Sequence, residues 1–242
     1  MSHSVFKRQI GTRDIVIETG RLAQQANGSV LMQTGDSAVL VTATMSKPRE
    51  GIDFFPLTID FEERLYARGK IPGNFFRREG RPSFDAILTD RLTDRPLRPL
   101  FPKGFRNEVQ IIATALSADQ ESPLDMLVLN GASAALSMSD IPFGGPIGAT
   151  RVGFVDGEYV INPTYQQLAG SQLDLVVAGS RDGVMMMEAG ASELSEAQVL
   201  KAIQLAQDAN LEIIALQEEI VSELGVEKVG FTTGGVSPEA VE

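Results

Sequence analysis

Residues 28–46 read GSVLMQTGDSAVLVTATMS, two aliphatic, β-branched runs on either side of a Gly-Asp pair. Val30-Leu31-Met32 and Val39-Leu40-Val41 have the residue types that fit a pleated, half-buried surface, and Gly35-Asp36 between them supplies hairpin-turn chemistry. Working outward, DIVIETG (14–20) predicts one more antiparallel strand upstream. Downstream, strands are predicted at Phe55 to Phe61, Val109 to Leu116, Ile147 to Val155, Tyr159 to Asn162, Leu173 to Ala178 and Val184 to Ala189, with Asp156-Gly157 as a second tight turn. Three helices interrupt or close this series. Ser83 to about Arg95 starts on a capping residue and ends at Pro96, whose ring removes a donor and clashes one turn back. Leu124 to Met138 is rich in Leu, Ala and Met, which predicts burial on most sides. Ser195 to Leu224 opens on a capping box, Ser195 with Gln198, and stops at Gly225, with Leu200, Ile203, Ala206, Ile213, Ile220 and Leu224 as its apolar stripe. Strand runs broken by two central helices and closed by a long one define an α+β fold, helices packed on a mixed sheet. No linker divides residues 1–225, and residues 226–242, rich in Gly, Thr and Pro from Gly230, read as a tail or the start of a linker.

The chain has 242 residues, 43% hydrophobic and 22% charged, which suits a folded domain and excludes collagen-like, disordered and coiled-coil classes. It has no cysteine and one histidine, His3, so thiolate sites and Ser-His-Asp triads are excluded. No signal-peptide pattern and no run near the ~20 apolar residues of a bilayer span occurs, and the expected compartment is the cytoplasm, with no membrane partner. Charge is distributed unevenly. Eleven Lys and Arg face four acids between Arg64 and Arg106, a local +7 on a chain of formal charge -11, which leaves -18 elsewhere. Such asymmetry suits a local anion site on an otherwise acidic molecule, and it equally suits a solvated, salt-bridged surface.

Within that segment lies GKIPGNFFRREGRP (69–82), where Gly and Pro forbid regular structure yet two Phe stand side by side. Aromatic rings stack on any unpaired base, at about 1–3 kcal/mol each, and guanidinium groups grip phosphates, so single-stranded nucleic acid is one reading. The other is a core plug of Phe75 and Phe76 with Arg77, Arg78 and Arg81 in surface ion pairs; the residues alone leave both open. DRLTDRPLRPLFP (90–102) comes next, with Arg91 and Arg95 four apart on one helix face and Arg98 just beyond. They suit a phosphodiester, and they equally suit pairing with Asp90 and Asp94.

Together with LNGASAALSMSDIPF (129–143), GPIGATRVG (145–153) and MMMEAGASELSE (185–196), these strings resemble, in order and over essentially the whole chain, the first RNase PH-like core domain of the bacterial polynucleotide phosphorylases. The resemblance implies an RNase PH-like (βαβα) fold and a phosphorolytic 3′-to-5′ exoribonuclease or polyribonucleotide nucleotidyltransferase acting in mRNA degradation and RNA processing. It implies inorganic phosphate as co-substrate and Mg2+ as metal in the whole enzyme. As partners it implies single-stranded RNA, a second RNase PH-like core, KH and OB-fold modules, and two further copies in a homotrimeric ring. It assigns Phe75, Phe76, Arg77, Arg78 and Arg81 to an RNA-gripping channel neck, and Arg91, Arg95 and Arg98 to a basic cluster facing the second core's active site. Catalytic and metal-binding residues are expected to be absent from this domain. Where active relatives carry a phosphate-binding turn this chain has Ala118 to Asp125, with Asp119, Glu121 and Pro123, and where they carry two Asp six apart it has Gln166 and Gln172, leaving Asp174. Two other readings are a stand-alone phosphorolytic exonuclease using Asp174 and a non-catalytic ring subunit.

Overall fold

A computed structural model describes residues 3–73, 75–76 and 78–231. The strands β1 (Ser4–Ile10), β2 (Arg13–Thr19), β3 (Gly28–Thr34), β4 (Ser37–Ser46), β5 (Leu57–Glu62) and β6 (Glu108–Ser117) form one sheet in the order β1-β2-β3-β4-β6-β5. Its neighbours are antiparallel except β5, which runs parallel to β6, so the sheet is mixed as predicted. The hairpin at Gly35-Asp36 forms in register, Thr34 opposite Ser37. Between β5 and β6 the chain makes a helix, α1 (Phe84–Leu97), and between the sheets lies α2 (Asp125–Met138). A second, antiparallel sheet holds β7 (Gly148–Val155), β8 (Glu158–Ile161), β9 (Leu173–Ser180) and β10 (Gly183–Ala191) in the order β10-β9-β7-β8, with the single-turn α3 (Tyr165–Ala169) before β9. The 29-residue α4 (Glu196–Leu224) packs on β7 and β9 and reaches back to β1.

The core is built around α2, which is buried from Met126 to Met138 because no side chain on it is charged after Asp125. It meets the first sheet closely. A Cβ on Gly131 would stand 2.6 Å from Val41 Cγ2 and 2.8 Å from Met32 Cγ, so only glycine lets the helix lie this low on β3 and β4. Polar side chains join the layers where strand edges lack partners. Asn130 exchanges two 2.8 Å hydrogen bonds with the Ala149 backbone, beside the half of β7 that β8 does not reach.

Three expectations change. Pro96 does not end α1: the helix runs to Leu97 and tightens into a 3₁₀ turn at Arg98–Leu100, because a ring in the last turn forfeits one bond while the Arg98 N–H still reaches the Asp94 carbonyl. The strand placed at Phe55 to Phe61 begins at Leu57, since Phe55 packs on Phe101 and Phe105 instead. Leu200 leaves the apolar stripe of α4 and is 60% exposed; Asn210 and Gln217 take central positions on the buried face. β1 and α3 had no predicted counterpart.

Candidate nucleic-acid interface

Arg64 ends the run out of β5, and Leu65–Arg68 form one 3₁₀ turn closed by Gly69 at φ +66°, a left-handed conformation that a Cβ disfavours. The chain then leaves the globule. Ile71 is 91%, Phe75 96% and Phe76 89% exposed, and the two rings meet edge to face with centroids 5.1 Å apart. The core-plug reading is therefore wrong. Full burial of a Phe is worth about 1.5–3 kcal/mol, and a pair left in water is the kind of exposed apolar surface that marks an interaction site. Arg78 and Arg81, a few residues along the same loop, are exposed and have no ion pair to any described residue. Arg77 lies outside the described residues.

Glu79 behaves differently. Its Oε2 accepts from Arg64 Nη1 at 2.6 Å and its Oε1 from the Leu65 N–H at 3.1 Å. The hydrogen bond from Arg64, helped by that N–H, holds its carboxyl below the usual range. Nothing in the sequence singled out Glu79 or Arg64 beforehand; the only signal was that Glu79 is the sole acid in residues 69–82.

The three arginines of the second motif do not converge. Arg91 is exposed on α1 and has no ion pair among the described residues. Arg95 pairs with Glu188 on β10. Arg98 is consumed locally: its guanidinium takes Asp94 at 2.9 and 2.6 Å and the carbonyls of Phe55 and Leu57 at 3.1 and 3.2 Å, and it lies 5.6 Å from the Phe55 ring centroid. Asp90 joins none of them; it accepts the Phe61 N–H at 2.6 Å, and burial pushes its carboxyl up to about 6.

A cleft of about 330 Å³ opens between the sheets, lined among others by Arg68, Gln120, Ser122, Asp125, Arg151 and Tyr165. Its turn is filled by the chain itself. Burial works against the Asp119 charge, but Oδ1 accepts the N–H groups of Glu121 and Ser122 at 2.8 and 3.0 Å, and with Ser37 these keep the carboxyl low. The donors an anion would need are thus occupied by a carboxylate. Arg151 bridges Asp125 and both oxygens of Asp174, at 3.0 and 2.9 Å for the latter. Burial raises the Asp174 carboxyl, with Asp125 and Glu188 adding to it and Arg151 opposing. Gln166 and Gln172 are exposed amides, which are poor partners for a divalent metal beside a committed Asp174, so this donor set does not fit Mg2+.

Two sheets around one buried helix, with a solvent-borne aromatic-arginine loop, define the class. Residues 11–142 match the model for domain 1 of the 3′ exoribonuclease family and residues 145–209 the model for its domain 2, and the chain belongs to that family. The division falls just after α2, so one model covers most of the six-stranded sheet and the other the four-stranded one. More particularly, the chain is 60% identical over 225 residues to the polyribonucleotide nucleotidyltransferase of Halothermothrix orenii, covering 93% of this chain and 32% of the relative. It is 57% identical over 236 residues to that of Heliobacterium modesticaldum, covering 97% and 33%. It spans about a third of the length of these relatives and corresponds to their first RNase PH-like core. The fold also matches the crystal structure of rice (Oryza sativa) Rrp46, with a TM-score of 0.71 at 15% identity over 88% of this chain and 96% of that one.

Proposed function

We propose that this chain is the RNA-guiding first core of a polyribonucleotide nucleotidyltransferase, and that the exchange of bonds takes place in a second core domain. In that reaction an oxygen of inorganic phosphate attacks the phosphorus of the 3′-terminal phosphodiester. The bond to the penultimate 3′ oxygen breaks, and a nucleoside diphosphate leaves a strand one residue shorter with a free 3′ hydroxyl. Mg2+ belongs with the second core's carboxylates, as does the phosphate cradle. In the proposed ring of three copies, Phe75, Phe76, Arg77, Arg78 and Arg81 grip the single strand, and Arg91 offers a cation along α1, where Arg95 joins it by exchanging Glu188 for phosphate. Arg98, already saturated, serves the fold. The whole protein adds a second core and KH and OB-fold modules, and the setting is cytoplasmic RNA degradation and processing.

One observation carries this reading: two neighbouring rings held almost wholly in water beside arginines that have no ion pair among the described residues. The stand-alone alternative has the geometry against it, since Asp174 is engaged by Arg151 and Asp119 occupies the turn. Replacing Phe75 and Phe76 together by Ala is expected to weaken oligoadenylate binding at least fivefold, the lower end of a stacking contribution of about 1–3 kcal/mol per base. Fluorescence anisotropy at low salt measures this, and an unchanged affinity rejects the reading. Phosphate-dependent release of ADP from poly(A) by this chain alone is expected to be absent; turnover would place chemistry here after all.

A further inference from the structure

Among the described residues of 69–82 all but Glu79 are exposed, Ile71, Phe75 and Phe76 included, and glycines stand at 69, 73 and 80. What ties the far end of the loop to the globule is Glu79. Its two oxygens take the Leu65 N–H and one arm of Arg64, while the other arm of Arg64 pairs with Glu62 on β5. Glu62 in turn accepts from the Thr114 hydroxyl on β6 at 3.2 Å. The connection thus runs from loop to sheet through charged groups that are only about one-third exposed at Arg64 and one-quarter at Glu79.

We infer that Glu79, Arg64 and Glu62 form a latch that positions the aromatic tip for single-strand capture, with Glu79 the positioning residue; this deepens the RNA-binding reading and rests on it. The latch acts in two ways. It closes the loop by joining residue 79 to residues 64 and 65, so the entropy of ordering the tip is spent on folding instead of on binding. It also draws the loop's only acid away from Arg78 and Arg81. A carboxylate free to swing would pair with those guanidiniums and compete with phosphate for them.

Glu79→Gln separates this role from a bystander's by the sign of the effect. Removing an acid beside a polyanion site would, through charge alone, tighten RNA binding. A latch predicts the opposite: oligoadenylate affinity falls about three- to tenfold, the range expected when a contact surface must be ordered on binding. Amides of residues 69–81 exchange faster with solvent, those of α1 keep their rate, and the thermal midpoint stays close to wild type. Arg64→Gln is expected to reproduce all of these. Equal or tighter binding in Glu79→Gln, or unchanged loop exchange in both variants, overturns the latch. Phe75→Ala with Phe76→Ala serves as the parallel arm. If it loses affinity while Glu79→Gln does not, the latch alone is rejected; if it too binds as wild type, the RNA reading fails and the role of Glu79 fails with it.

Discussion

Individual side chains in this molecule are often committed twice, and Asp90 is one. Its carboxylate caps the Phe61 N–H where β5 passes α1, yet burial and the nearby Asp60 charge raise it to about 6. An unfolded Asp ionises near pH 4, so between about pH 4 and 6 the folded chain holds a proton the unfolded chain has lost, and stability from this group falls as pH rises through that window. Asp90→Asn keeps an acceptor for Phe61 and removes the charge. Its stability relative to wild type is expected to improve from pH 4 to pH 7 by about 1 kcal/mol, a figure reduced for a partly exposed group screened by solvent. Urea denaturation of both proteins at the two pH values measures it. Asn210 and Gln217 show a different commitment: Asn210 takes the Thr150 hydroxyl at 2.8 Å and gives to the Val177 carbonyl at 3.1 Å, and Gln217 gives to the Ile147 carbonyl at 2.8 Å. Read as a periodic pattern they are polar interruptions. In the structure they bond to buried groups of β7, of β9 and of the residue that leads into β7.

Among the elements, α4 was the most legible. Its capping box at Ser195 and Gln198 forms as read, with the Ser195 side chain accepting the Gln198 N–H, and Gly225 comes directly after its last turn. Ser195→Ala is expected to lower stability by about 1 kcal/mol, the usual worth of an N-cap, with the denaturation slope unchanged. β1 was illegible for a physical reason: it is an edge strand whose Lys7, Arg8 and Gln9 face solvent or ion pairs, so only Phe6 and Ile10 sit in the core. Pro96 misled because a proline's cost depends on its distance from the helix end, which local sequence leaves open. The loop at 69–82 was legible in composition, since Gly and Pro exclude regular structure there, but two Phe in a loop are compatible with plug or platform. Only the surrounding packing, which offers them no cavity, separates the two.

Over the whole molecule, charge and the course of the chain after α4 bear on function. A body of net -11 presents an excess of basic residues on one segment, so association with RNA is expected to depend steeply on salt. With two or three arginines of the tip on phosphates, the logarithm of affinity should fall against the logarithm of salt with a slope of about -1.4 to -2 for a single strand. A slope near zero in a salt titration would mean that stacking alone holds the strand. Beyond α4 the chain is strapped back onto the end of α2. Lys228 Nζ donates to the carbonyls of Leu136, Ser137 and Ser139 at 2.9, 2.9 and 2.6 Å, Val229 N–H to the Asp140 carbonyl at 2.9 Å, and Phe231 packs edge-on against Phe105. Burial lowers the Lys228 ammonium to about 8 against the opposing pull of Asp140. Residues 226–230 are exposed, and what holds this stretch to the end of α2 is these hydrogen bonds and the Phe231 ring.

By itself the sequence determined the elements and the chemistry on offer: a Gly-Asp hairpin, an uncharged central helix, a capped long helix, and aromatic rings beside guanidiniums. These depend on contacts within a few residues, which local order encodes. Tertiary structure decided which of those groups are available. It left Phe75 and Phe76 in water, spent Arg98 on Asp94 and two carbonyls, closed the Asp119 turn on itself, and drew Glu79 away from its neighbours. Most of those outcomes depend on groups well separated in the chain, brought within hydrogen-bond range, or withheld, only when the sheets close around α2.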